Sequence, residues 1–306
     1  MPEQLKIGLA LGSGSARGWA HLGVIRELER RGIRPQVVAG TSIGALVGAA
    51  YALGKTRDLE AWVRRLTRWD VIRFLDIRLT GGGLIEGERL RDFFLQHVAD
   101  APIESLPVAF AAVATDLRTG REVWFRTGSV VEAVRASVAV PGLFTPAHVD
   151  GAWYVDGGLT NPVPVAVCRA LGADAVIAVD LNADIVSRHV RPDREEGLLS
   201  RGPVTEWVRQ AAARLPEGFR DRAGQVLTSV LGPKDRPGIV ETVVASVNIM
   251  QARITRSRMA GDPPEVLITP RLAHIGLMEF ERGGEAVKEG RAAVIRAAEA
   301  LEALMG

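Results

Sequence analysis

Three short stretches carry residues that could do chemistry. In "GTSIGAL", Ser42 stands between Gly40 and Gly44, where an apolar run, "VVAG", gives way to a small-residue helix-like run. G-x-S-x-G at a strand-to-helix corner has two readings. It is a tight turn with no chemistry, or a corner whose glycines allow a strained backbone to push a hydroxyl outward for nucleophilic attack. The dipole of the following helix would favour negative charge beside that hydroxyl.

A nucleophilic serine needs a proton acceptor. Of the five histidines, His21 falls on the packed face of a helix, His97 in an ordinary amphipathic helix and His189 in a polar stretch. His148 and His274, at strand-to-loop positions, stay open as bases. So does Asp156 in "WYVDGGLTNPVP", which ends an extended run and precedes Gly157 and Gly158. Desolvation among Trp153, Tyr154 and Val155 would raise its pKa toward that of a useful base. Asp150 reads as a turn residue, and Asp116 and Asp180 as loop carboxylates that bond nearby backbone.

The third stretch is "ALGSGSARGWAHLG". Gly12 and Gly14 between a strand and a helix suit a phosphate cradle. Arg17 occupies the place of the third glycine, with Gly18 one residue late, and no acidic residue closes the second strand to hold a ribose. The same clustered N–H groups would equally hold an oxyanion.

The elements that must carry these residues follow from the apolar pattern. "KIGLALG", "PQVVAG", "PVAFAAVATDL" and "AVIAVDL" are near-continuous apolar runs, the first two each followed by a helical pattern. That predicts an α/β protein with a mostly parallel sheet covered on both faces. "TPAHVDGAWYVDGG" predicts a hairpin turning at Asp150-Gly151, "PEVLITP" a late strand, and the C-terminal stretch a closing helix. Residues from about 186 to 262 lose strand character and predict a mostly helical insertion in a single domain spanning 1–306. "DLEAWVRRLTRWDVIRFLDIRL" sets Trp62, Trp69 and Phe74 against Arg64, Arg65, Arg68, Arg73 and Arg78. It is either an interfacial helix or lid, or, as the preferred reading, a surface helix packed on the core.

Composition narrows the classes. The 306 residues are 47% hydrophobic and 24% charged with a net charge of +2, so charge gives no reason to expect a nucleic-acid partner. The one cysteine, Cys168, lies in an apolar run and reads as core filler. No charged leader opens the chain, and no run reaches the roughly 18 apolar residues of a membrane span. The expectation is a soluble, cytoplasmic protein, at most peripheral to a membrane. Oligomeric state is not encoded in any of these features.

Four blocks taken in order, "GSGSARG", "GTSIG", "RASVAVPGLFTP" and "VDGGLTNPVP", resemble those of patatin-like phospholipases, and in particular short bacterial members of the branch related to neuropathy target esterase. The likeness covers roughly residues 5–182. It implies a three-layer α/β/α patatin-like fold and a lipid acyl hydrolase acting on lipid or lysolipid esters without metal or organic cofactor. It also implies a Ser-Asp dyad, with Ser42 as nucleophile and Asp156 as general base. Ser13, Gly14 and Ser15 would supply oxyanion N–H groups, Arg17 and Gly18 would complete that block, and Ser137 and Pro141 would shape the site wall. Ser13 and Ser15 depart from the glycines many members carry there. The alternative is a weakly active or inactive partner-binding protein on the same fold, against which the intact Ser42 and Asp156 speak.

Overall fold

The computed structural model describes residues 5–67, 70, 100–184 and 239–306. His97, His189, Trp69, Phe74, Arg68, Arg73, Arg78 and most of the predicted insertion lie outside the described residues.

Among the described residues, eight strands form one sheet: β1 (Ile7–Leu11), β2 (Val37–Thr41), β3 (Ala109–Asp116), β4 (Glu122–Phe125), β5 (Ala147–Val149), β6 (Ala152–Asp156), β7 (Ala175–Val179) and β8 (Val266–Ile268). The order is β5-β6-β3-β2-β1-β7-β8, with β4 also paired to β3. The five strands from β3 to β8 run parallel, and the antiparallel pairings gather at the β3 side. The helices are α1 (Ala20–Arg30), α2 (Ile43–Ala52), α3 (Thr56–Val63), α4 (Val130–Ser137), α5 (Val165–Ala170), α6 (Ile239–Gly261), α7 (Gly283–Arg296) and α8 (Ala298–Met305).

Strand alternation builds the layers. Leu9, Leu11, Val38, Phe110, Ile177 and Val179 point into a core shared with α1, α2, α4 and α7. The intervening Ala10, Val37, Ala39, Ala111, Val113, Val176 and Ala178 point the other way, onto α5. A sheet covered on both faces has apolar residues at both parities, which is why the strands read as unbroken apolar runs. Cys168 is part of the second core, and burial pushes its thiol up to about 12, so it packs rather than reacts.

Three elements escaped the sequence, the first of them α4, where no helix is predicted. β4 is only four half-buried residues, too short to show a period. The closing helix is two helices, α7 and α8, meeting at Ala297. The Asp150-Gly151 turn is as expected, with φ of 49° and 80°.

Register on β3 positions the site. At Ala112 and Val113 the two edges of β3 are taken by β2 and β4, and at Ala114 and Thr115 by β4 and β6. β6 therefore continues along the edge where β2 stops. Thr41 pairs with Val113 and Asp156 with the next residue, Ala114, so the chain leaving β2 into Ser42 meets the end of the hairpin.

Candidate active site

Ser42 sits at the corner between β2 and α2 with φ 58° and ψ −126°. A side chain in that region costs on the order of 1–3 kcal/mol and persists only where the surroundings enforce it. Three features do so. The Ser42 N–H donates to Ser137 Oγ at 2.9 Å. The Ser42 carbonyl opens α2, accepting from Ala45 N–H at 2.8 Å. Strand end and helix start are also folded tightly together: a Cβ on Gly40 would come 2.4 Å from the Gly44 carbonyl oxygen, and one on Gly44 would come 2.1 Å from that of Leu11. Only glycine fits at both flanks.

Asp156 ends β6 fully buried. Its N–H donates to the Ala139 carbonyl at 2.9 Å, and its carbonyl accepts from Thr115 Oγ1 at 3.0 Å. Its Oδ1 accepts from Gly158 N–H at 2.7 Å. Oδ2 has no hydrogen bond of good geometry, although the Ser42 hydroxyl interacts with the carboxyl and favours its charged form. Burial outweighs both donors and pushes the pKa from 3.8 up to about 6. The serine–carboxyl contact is thus looser than a formed hydrogen bond, as is common before substrate tightens a site. The desolvation does not come from Trp153, which is 53% exposed and packs on His148 at a centroid separation of 4.7 Å.

Neither open histidine lines the cavity beside Ser42. His148 is exposed on β5, and exposed His274 bonds Glu285 Oε1 at 2.8 Å. His21 is buried with its pKa lowered to about 4 by desolvation, so its neutral ring donates from Nε2 to the Gly12 carbonyl at 2.8 Å. It braces the first loop. Asp116 accepts from Arg118 and Thr119 N–H, and Asp180 from Asn182 N–H, each within its own loop.

The first loop corrects one expectation. The Ser13 N–H is committed to the Pro162 carbonyl at 2.9 Å, and that of Gly12 to Val179 at 3.1 Å. Ser13 therefore does not offer an oxyanion donor; the N–H groups of Gly14 and Ser15 have no acceptor among the described residues. Ile43 adds a donor that the sequence did not single out: as the first residue of α2, its N–H has no intrahelical partner and lies beside Ser42. The side chains of the departing serines are tethers. Ser13 Oγ donates to Gln251 Oε1 at 2.8 Å and Ser15 Oγ to the Leu277 carbonyl at 2.6 Å. Arg17 Nε holds the Ile275 carbonyl at 2.8 Å, Gly18 packs on Ile43, and Gly157 packs on the Val113 carbonyl.

The wall block is also reassigned. Ser137 is fully buried and does not line the cavity; it accepts from Ser42 N–H and donates to the Val113 carbonyl at 2.6 Å. Pro141 is not in the wall either, which Val138, Val140, Leu143 and Phe144 supply around it. The cavity measures about 130 Å³ and is mostly apolar, with Leu46, Trp62, Leu66 and Phe280 facing the Ser13–Ser15 loop and Ser42. The described part of the arginine-rich segment is packed: Leu59 and Val63 are buried, and Arg64 and Arg26 both bond Glu60. Trp62 meets Trp19 edge to face at 6.1 Å. Among the described residues no helix is long and apolar enough to cross a membrane, and no group of three or more His, Cys, Asp or Glu side chains could hold a metal ion.

A doubly covered, mostly parallel sheet with a serine elbow and a buried aspartate from a hairpin defines an α/β protein of the elbow type. The chain belongs to the patatin-like phospholipase family: residues 9–169 match the family of that description. It is 34% identical over 332 residues to an uncharacterized NTE family protein of Mycobacterium tuberculosis, covering 97% of this chain and 92% of that one. It is 33% identical over 183 residues to lysophospholipase nte1 of Emericella nidulans, covering 58% of this chain and 12% of that one. The match to neuropathy target esterase sws of Drosophila melanogaster is 31% over 184 residues, 58% of this chain and 13% of that one.

Proposed function

We infer that the protein is a serine hydrolase that cleaves lipid acyl esters, of the phospholipase, lysophospholipase or carboxylesterase type, through a Ser42–Asp156 dyad and an acyl-enzyme. The observation that carries this is a strained hydroxyl beside a buried carboxyl of raised pKa, at the edge of an apolar cavity. The relatives named for lysophospholipase and esterase activity support the same chemistry.

In the cycle, Asp156 takes the Ser42 proton as Oγ attacks the ester carbonyl carbon. The oxyanion accepts from Gly14, Ser15 and Ile43 N–H groups, with the α2 dipole adding to the field. As the tetrahedral intermediate collapses, the alcohol leaves with the proton held by Asp156. Water then gives a proton to Asp156 and attacks the acyl-enzyme, and the fatty acid departs as Ser42 recovers its proton. The apolar walls would take the acyl chain, and the aspartate works alone because burial gives it the basicity an imidazole would otherwise supply.

Hydrolysis of p-nitrophenyl esters of increasing chain length and of lysophospholipids, on wild type and Ser42→Ala, tests this. Wild-type turnover lost in Ser42→Ala is expected. Turnover retained in Ser42→Ala would refute it, as would absence of both hydrolysis and fluorophosphonate labelling in folded wild type.

A further inference from the structure

Among its described side chains, α6 buries polar residues beside the apolar Val247. Asn248, Gln251 and Thr255, spaced three and four apart, are buried, while neighbouring Ile249 and Met250 are 52% and 47% exposed. Burying a polar stripe is unfavourable unless its groups find partners, so these three positions call for specific contacts. Gln251 makes the telling ones. Its Oε1 accepts from Ser13 Oγ at 2.8 Å. Its Nε2 packs over Gly158, where a Cβ would come within 2.2 Å of it and 2.9 Å of Asp156 Oδ1. Gly158 N–H in turn holds that same Oδ1. One carboxamide thus touches both the loop ahead of the free Gly14 and Ser15 amides and the turn that carries the base.

We propose that Gln251 is a positioning residue of the reaction inferred above, fixing the Ser13–Ser15 loop relative to the Asp156 turn. This rests on that reading of the function. Ser13 is otherwise held through its backbone, by its N–H to the Pro162 carbonyl at 2.9 Å and by its own carbonyl, which accepts from Asn182 Nδ2 at 3.4 Å. With the Oγ tether gone the loop loses its side-chain link to the Gly158 turn, and the Gly14 amide, next to Ser13 and ahead of the separately tethered Ser15, can shift away from the oxyanion. Misplacement by about 1 Å costs up to 10²-fold in such sites. The effect belongs to the transition state, because the amides meet full negative charge only there.

The test is steady-state kinetics on p-nitrophenyl butyrate with wild type, Ser42→Ala, Ser13→Ala, Gln251→Leu and the Ser13→Ala/Gln251→Leu double variant, with thermal melts to establish folding. Each single variant should lose kcat by ~10-fold or more with KM held within ~2-fold, and the double variant should be no slower than the slower single. Unchanged kcat in both singles, a loss carried by KM alone, or losses that multiply in the double would overturn the proposal while leaving the dyad intact. If Gln251→Leu does not fold, Ser13→Ala decides by the same criterion. Equal rates for wild type and Ser42→Ala would instead remove the hydrolase reading, and this proposal with it.

Discussion

The backbone N–H of Ser42 donates to Ser137 Oγ at 2.9 Å, and that same hydroxyl donates to the Val113 carbonyl at 2.6 Å. A fully buried side chain from α4 thereby fastens the strained corner to β3, the strand that also pairs with Asp156. Ser137→Ala would strand a buried donor and release the corner. It should lower stability by about 1–3 kcal/mol and reduce kcat, both measurable by denaturant melts and ester hydrolysis.

Strain at Ser42 gives a separable prediction. Ser42→Gly relieves the positive φ that Ser42→Ala retains, so the glycine variant should be the more stable by roughly 1 kcal/mol, with both inactive. Equal melting temperatures would show that the corner is not strained.

The raised pKa of Asp156, as the base proposed above, predicts activity that increases with pH through about 6, where the carboxyl ionises. The stability sign is opposite. Native Asp156 favours its protonated form, so its cost to the fold is absent below its ordinary 3.8, grows as pH rises toward 6 and is complete above that. Asp156→Asn, permanently neutral, should therefore gain stability relative to wild type between pH 4 and 7, by on the order of 2–3 kcal/mol, while losing hydrolysis. A stability difference independent of pH would contradict the desolvated carboxyl.

Chain-length preference should follow the cavity wall. Val140→Phe places a ring in the cavity from a half-buried position. It should cut kcat/KM on long-chain p-nitrophenyl esters by ~10-fold or more and leave butyrate hydrolysis near wild type. A uniform loss across chain lengths would mean the acyl group lies elsewhere.

Much of the frame was legible because it is local. A buried strand, a glycine-flanked serine and a helix lie within a dozen residues around Ser42, and the turn after Asp156 carries its own glycines. What the sequence hid depends on distant partners. Ser137 lies 95 residues from Ser42, and Gln251 lies 238 from Ser13. Gln251 sits in a stretch that reads only as helical, and its one signal is the buried polar stripe it shares with Asn248 and Thr255. The assignment of Ser13 as a donor failed for the same reason, since nothing near it reveals that its N–H is bound to Pro162. The preference for a packed helix after residue 56 holds over the described part, but Trp62 and Leu66 also line the cavity, because a helix over a site can do both.

The central claim is a covalent acyl group on one hydroxyl. Rapid quenching of wild type with p-nitrophenyl butyrate, followed by intact-protein and peptide mass analysis, reads it directly. The expected result is a butyryl adduct on the peptide containing Ser42, absent in Ser42→Ala and strongly slowed in Asp156→Asn. An adduct on another residue, or undiminished turnover in Ser42→Ala, would contradict it.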